Sequence, residues 1–233
     1  MKRVVWLAAG VAIAVLVAVQ VTSAARQDAP FIARADVPTV APGVDVLAGV
    51  VEIPVRVRAH DYRRAAFGES WTDDTSAPGG RNGCDTRNDI LDRDLIEKTY
   101  VSIKRCPTAV ATGVLHDPYS NAVIDFTRGN QVGAAVQIDH LVPLALAWDL
   151  GAFAWSEDLR VRFANDPANL IAVAGAINQD KGDAEPVDWM PPNRAFWCQY
   201  SVQFAEVLRG YALPIDQRSA VVLREGAATC PVG

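Results

Sequence analysis

Gln137-Ile138-Asp139-His140-Leu141-Val142-Pro143 is the segment on which the fold turns. An acid and a histidine sit together at the end of an apolar run, residues 134–138, that reads as a strand, and a proline follows. Downstream come Asn165-Asp166-Pro167-Ala168-Asn169-Leu170 and then Asn178-Gln179-Asp180-Lys181-Gly182-Asp183. Residues 169–173 read as a short apolar strand and residues 176–183 as helix. The order strand, long connection, strand, helix puts all three pieces on one ββα unit.

Neighbouring residues on a strand point to opposite sides, so Asp139 and His140 suit different tasks. Asp139, together with Asn178 from the helix, offers oxygen ligands to a hard divalent cation, and Mg²⁺ is the expected cofactor. Neutral His140 accepts a proton from water near pH 7 as a general base. Lys181 lies at i+3 from Asn178, on the same helical face, where its charge would neutralise a phosphate. Arg87, Arg93 and Arg128 are candidate phosphate contacts. Such a set suits phosphodiester hydrolysis, where a base activates the nucleophile and a metal stabilises charge on phosphoryl oxygens. The plainer readings are a buried polar pair for Asp139 and His140, a helix cap for Asn178 and a solvated Lys181. His60 and His116 read as surface residues, and Trp148, Trp155, Trp189 and Trp197 as packing.

The D-H-x-x-P…N…N-x-x-K pattern of Asp139, His140, Pro143, Asn169, Asn178 and Lys181 resembles the HNH (His-Me finger) endonucleases. The wider text looks like exported relatives of the C-terminal domain of the GmrSD restriction enzyme. It includes Gly83-Cys84-Asp85-Thr86-Arg87-Asn88, Asp117-Pro118-Tyr119, Ala164-Asn165-Asp166 and Lys181-Gly182-Asp183, and it spans residues 62–230. The resemblance implies an α+β fold with a ββα-metal core and additional helices. It implies Asp139 as metal ligand, His140 as general base and Asn169 as the residue that orients the loop and the base. Asn178 stands where many members carry a histidine ligand. The expected activity is metal-dependent endonucleolytic cleavage, with DNA ahead of RNA as substrate and no stable protein partner. The rivals are a catalytically idle module that holds nucleic acid or an envelope partner in the same groove, and a metal hydrolase acting on another phosphoester.

At the N-terminus, Lys2 and Arg3 precede an apolar run over residues 4–19, and small residues follow up to Ala25. This reads as a secretory signal peptide over residues 1–25, the run being short of the roughly 20 residues a membrane span needs. The alternative is an uncleaved membrane anchor. Removing Lys2 and Arg3 takes the net charge from −5 to −7, so any affinity for nucleic acid must be local. Residues 26–54, rich in Ala, Pro, Asp and Val, read as a linker with a weak strand over residues 50–57; the nuclease domain is assigned to residues 55–233.

Four cysteines in an exported chain suggest two disulfides, and sequence proximity pairs Cys84 with Cys106 and Cys198 with Cys230. Thr86 and Asp89 read as a capping box before a helix through Ile90, Leu91, Leu95 and Ile96. Strands are expected over residues 100–103, 109–115 and 122–126, with turns at residues 116–121 and at Gly129-Asn130. Helices are expected over residues 144–150, 157–163, 194–208 and 214–228.

Overall fold

A computed structural model describes residues 37–129 and 135–232. The signal segment, the linker as far as residue 36, Asn130 of the expected turn and Ala134 of the expected strand lie outside these residues.

Strand β5 (Val136–His140) pairs antiparallel with β6 (Leu170–Ala174), with His140 opposite Leu170 and Val136 opposite Ala174. Every residue of β6 is buried, because the strand lies between two cores. Leu170 and Ala172 face one core together with Val136 and Ile138; Ile171 and Val173 face the other. Period-two alternation thus places Val136 and Ile138 on one face of β5 and Gln137 and Asp139 on the other. Helix α4 (Gly175–Lys181) follows β6 without a loop, and Gly182 closes it at φ 53° by donating to the Asn178 carbonyl.

The connection between β5 and β6 holds α2 (Leu144–Asp149) and α3 (Glu157–Ala164). Ser156 caps α3 by accepting from Leu159 N, and Glu157 and Asp158 sit in its first turn, where the helix dipole favours negative charge. These two helices, α5 (Trp197–Gly210) and α6 (Gln217–Ala227) enclose the larger core around Phe163, Tyr200 and Phe204.

Helix α1 (Thr86–Asp94) covers the second core with Ile90 and Leu91. Its cap is Asp85, which accepts from Asn88 N at 2.8 Å, and not Thr86. Thr86 is the first helical residue, and its hydroxyl bonds Asn165 Oδ1 at 2.9 Å. The helix stops at Asp94, two residues short of Ile96, because Asp94 Oδ2 accepts from Ala172 N of β6 at 2.8 Å. The chain then turns extended at Leu95 and Ile96 opens β2 (Ile96–Ile103). Strands β2, β3 (Cys106–His116) and β4 (Val123–Thr127) form an antiparallel sheet in that order. Gly113 of β3 lets the backbone approach, since a Cβ there would lie 3.0 Å from Leu95 and 3.2 Å from the Ile96 carbonyl.

Both expected disulfides are formed, with Cα–Cα distances of 4.5 Å for Cys84–Cys106 and 4.8 Å for Cys198–Cys230. Residues 37–54 are packed and not a free linker. Leu47 is 2% exposed, Asp45 pairs with Arg224 at 2.8 Å, and β1 (Glu52–Ile53) runs parallel to β7 (Ile215–Asp216). The apolar residues Val46, Leu47, Val50 and Ile53 supply the buried surface that holds this segment down.

Candidate active site

His140 ends β5, and its ring is fixed on two sides. Nε2 lies 2.9 Å from the Ala164 carbonyl, at the end of α3, where helix carbonyls lack intrahelical partners. A carbonyl only accepts, so Nε2 carries the proton. The Trp71 indole stacks on the imidazole at 5.4 Å between centroids and 13° between planes. Burial pulls the His140 pKa down to about 3; the Ala164 bond opposes this, while the charges of Arg64 and Lys181 reinforce it. The ring is therefore neutral at physiological pH, with Nδ1 as its lone-pair nitrogen.

Asp139 has different partners, as strand alternation requires. Its Oδ2 accepts from Tyr119 Oη at 2.6 Å and from Lys181 Nζ at 2.6 Å. Lys181 also donates to the His140 carbonyl at 2.7 Å, and its side chain is wholly buried. Burial pulls the Lys181 ammonium down from its usual range, and Asp139 opposes the shift. The sequence pattern suggested a lysine that neutralises a phosphate, with a solvated lysine as the plainer reading; the structure makes it the counter-ion of Asp139. Burial and the neighbouring carboxylate raise the Tyr119 pKa well above the usual value, which keeps its hydroxyl a donor. Asp117 sets Tyr119 in place by accepting from Tyr119 N at 3.3 Å and from Ala174 N at 3.1 Å.

Asn169 clamps the loop after His140. Its Oδ1 accepts from Val142 N at 2.8 Å and its Nδ2 donates to the Val142 carbonyl at 3.2 Å. Asn178 on α4 donates through Nδ2 to Gln137 Oε1 at 2.8 Å, which leaves its Oδ1 as an acceptor. Asp139, His140, Asn178 and Gln137 line one cavity of about 600 Å³. Both Asp139 and Asn178 line that cavity, and among the described residues no hydrogen bond engages Asp139 Oδ1 or Asn178 Oδ1. Among the described residues no cluster of three or more His, Cys, Asp or Glu side chains is present. The donor set fits Mg²⁺, which keeps most of its waters and takes one or two protein oxygens, and does not fit a zinc cage.

Of the three arginines singled out by sequence, the structure brings only Arg87 to this cavity, where it also donates to the Val136 carbonyl at 3.1 Å. Arg93 instead grips Asp94 and the carbonyls of Pro167 and Leu170. Arg128 bonds the Val110 carbonyl and Asn88 Oδ1. Both tie elements together, and neither lines the cavity. Sequence reasoning missed Tyr119, Trp71, Gln137 and Arg64. Asp117-Pro118-Tyr119 belongs to the recognised text and pointed at Tyr119; nothing in the sequence distinguished Trp71 or Arg64.

Residues 85–208, more than half of the chain, match the family described as GmrSD restriction endonucleases, C-terminal domain. A protein from Arthroderma benhamiae, named as an uncharacterized secreted protein, is 37% identical over 149 residues, covering 63% of this chain and 68% of that one. No solved structure matches the chain. The matched region contains α1, both strands of the β5–β6 pair, α4 and every residue that holds His140 and Asp139 except Trp71, and the chain belongs to the GmrSD C-terminal domain family of restriction endonucleases.

Proposed function

We propose that this protein is an exported, divalent-metal-dependent HNH-type endonuclease that hydrolyses phosphodiester bonds, with DNA as the preferred substrate. The observation that carries the reading is the state of His140. Its Nε2–H is committed to the Ala164 carbonyl, Trp71 stacks on its ring, and it shares a cavity with Asp139 and Asn178. Nδ1 then accepts the proton of an attacking water, and the Ala164 carbonyl and Trp71 hold the ring as it becomes charged. Asp139 and Asn178 would hold the cation, and Asn169 keeps the His140 loop in register. A divalent cation, when bound, neutralises charge developing on the phosphoryl oxygens. Lys181 and Tyr119 orient the Asp139 carboxylate from behind, in the manner of partners that fix a metal ligand. Family membership supports a nuclease, while Lys2-Arg3 with its apolar run, the two disulfides and a relative named as secreted support export.

The test is conversion of supercoiled plasmid to nicked circles by the purified mature chain. Mg²⁺ should permit it, EDTA should stop it, and a His140→Ala preparation made identically should lack it. A chain that cleaves neither DNA nor RNA with Mg²⁺ would leave the idle module and a hydrolase of another phosphoester, which small diesters as substrates would separate.

A further inference from the structure

The net charge of −5 gives an anionic substrate no general attraction to this chain, so cations at the cavity itself must supply it. Two acids on the lining already have partners. Asp139 is held by Lys181 at 2.6 Å, and Asp183 by Arg58 at 3.0 Å and Arg56 at 3.3 Å. Arg64 is on the same lining and differs from them. It is exposed, and among the described residues no ion pair or hydrogen bond engages its guanidinium.

Its backbone, in contrast, is anchored. Arg64 opens a short 3₁₀ turn, Arg64–Phe67, whose last residue is 2% exposed in the larger core. Phe67 packs against Trp148 and Phe163, with ring centroids 6.2 and 6.1 Å away. The Ala66 carbonyl accepts from Arg160 Nε at 2.8 Å. Gly68 ends the turn at φ 82°, with Val161 Cγ2 2.7 Å from where a Cβ would sit. Arg64 also lines a small recess with Trp71 and His140. A guanidinium with its donors unused, on a rigid turn beside the general base, is suited to hold a phosphate.

We propose that Arg64 is a phosphate-binding residue of the substrate site, donating to the non-bridging oxygens of a nucleic-acid phosphodiester. Tyr62, Arg64 and Trp71 together then form one wall of that site. All three lie before residue 85, where the family match begins. The proposal rests on the nuclease reading above.

The experiment is equilibrium binding of a short fluorescein-labelled DNA duplex, in Mg²⁺ and over a series of KCl concentrations. The parent is His140→Ala, which keeps the duplex intact. Adding Arg64→Ala should weaken binding about tenfold near 0.1 M salt and reduce the slope of log K against log salt by about one. The effect should be equal for two unrelated sequences, because a phosphate contact carries no base information. Arg64→Lys should keep the slope and lose part of the affinity. The melting temperature of Arg64→Ala should match that of its parent, since no bond in the fold is lost. An unchanged slope, or a lowered melting temperature, would overturn the role of Arg64 alone. A parent that binds neither this duplex nor an RNA duplex of the same length, measured alongside it, would instead remove the nuclease reading beneath it.

Discussion

Lys181 Nζ lies 2.6 Å from Asp139 Oδ2, with the lysine side chain wholly buried and the aspartate side chain 7% exposed. The pair joins the last turn of α4 to the end of β5, the two elements that carry the proposed metal donors. Removing one charge would leave the other buried without its partner. Lys181→Met should therefore cost about 3–5 kcal/mol of stability, read as a lower urea midpoint. Adding Asp139→Asn should restore part of the loss, because the two changes share one interaction. A lysine that instead faced substrate phosphate would leave the midpoint of Lys181→Met near the wild-type value.

The sequence showed the ββα order, and with it Asp139, His140, Asn169 and Asn178, because those residues follow one another along a single supersecondary unit. It did not show the bond from Lys181 to Asp139. The i+3 spacing says which face of α4 the lysine shares with Asn178, yet not that this face is sealed against β5 by Tyr119 from a distant strand end. Trp71 and Arg64 were illegible for a related reason: they arrive from a segment whose contacts with the site are all tertiary. Arg93 and Arg128 misled because an arginine bonded to carbonyls of its own fold and one that reaches for phosphate look alike in a linear pattern. The boundary at Leu95 failed because apolar spacing continues through Ile96, while the Asp94 bond to Ala172 ends the helix.

The two disulfides should act as independent staples. Cys84–Cys106 joins residues 22 apart, just before the α1 cap and at the start of β3, and Cys198–Cys230 joins residues 32 apart. Loop-closure entropy gives each about 3–4 kcal/mol. The paired Cys84→Ser/Cys106→Ser variant should lower the denaturation midpoint accordingly and still retain the second bridge. Peptide mapping without reductant checks the pairing, and a Cys84–Cys198 peptide would contradict it.

Acid should destabilise the fold through His140. Its pKa is about 3 when folded, against about 6.5 in the unfolded chain, so protons favour the unfolded state. The contribution is fully present above about pH 6.5. It then declines by up to about 1.4 kcal/mol per pH unit as pH falls toward about 3. His140→Gln retains an amide donor for the Ala164 carbonyl and removes the titration. Urea midpoints taken between pH 7 and pH 4 should fall less steeply for this variant than for the wild type, and parallel curves would refute the assignment.

The division of roles at the site is tested by metal rescue. His140→Ala removes the proposed proton acceptor and leaves Asp139 and Asn178 in place. Turnover should fall about 10²–10⁴-fold, and added Mg²⁺ should not restore it, because no metal concentration replaces the acceptor. Asn178→Ala removes an oxygen donor and, with it, the bond to Gln137. Its loss should appear as a weaker apparent Mg²⁺ affinity, with activity recovering as Mg²⁺ rises. Asp139→Ala is the less clean partner experiment, since it also strands the buried Lys181 charge and lowers stability, so Asn178 carries the comparison. The measurement is a Mg²⁺ titration of plasmid nicking for the wild type and both variants, with near-ultraviolet circular dichroism to confirm folding. If His140→Ala and Asn178→Ala respond to Mg²⁺ in the same way, His140 acts on the metal and the proton is taken elsewhere.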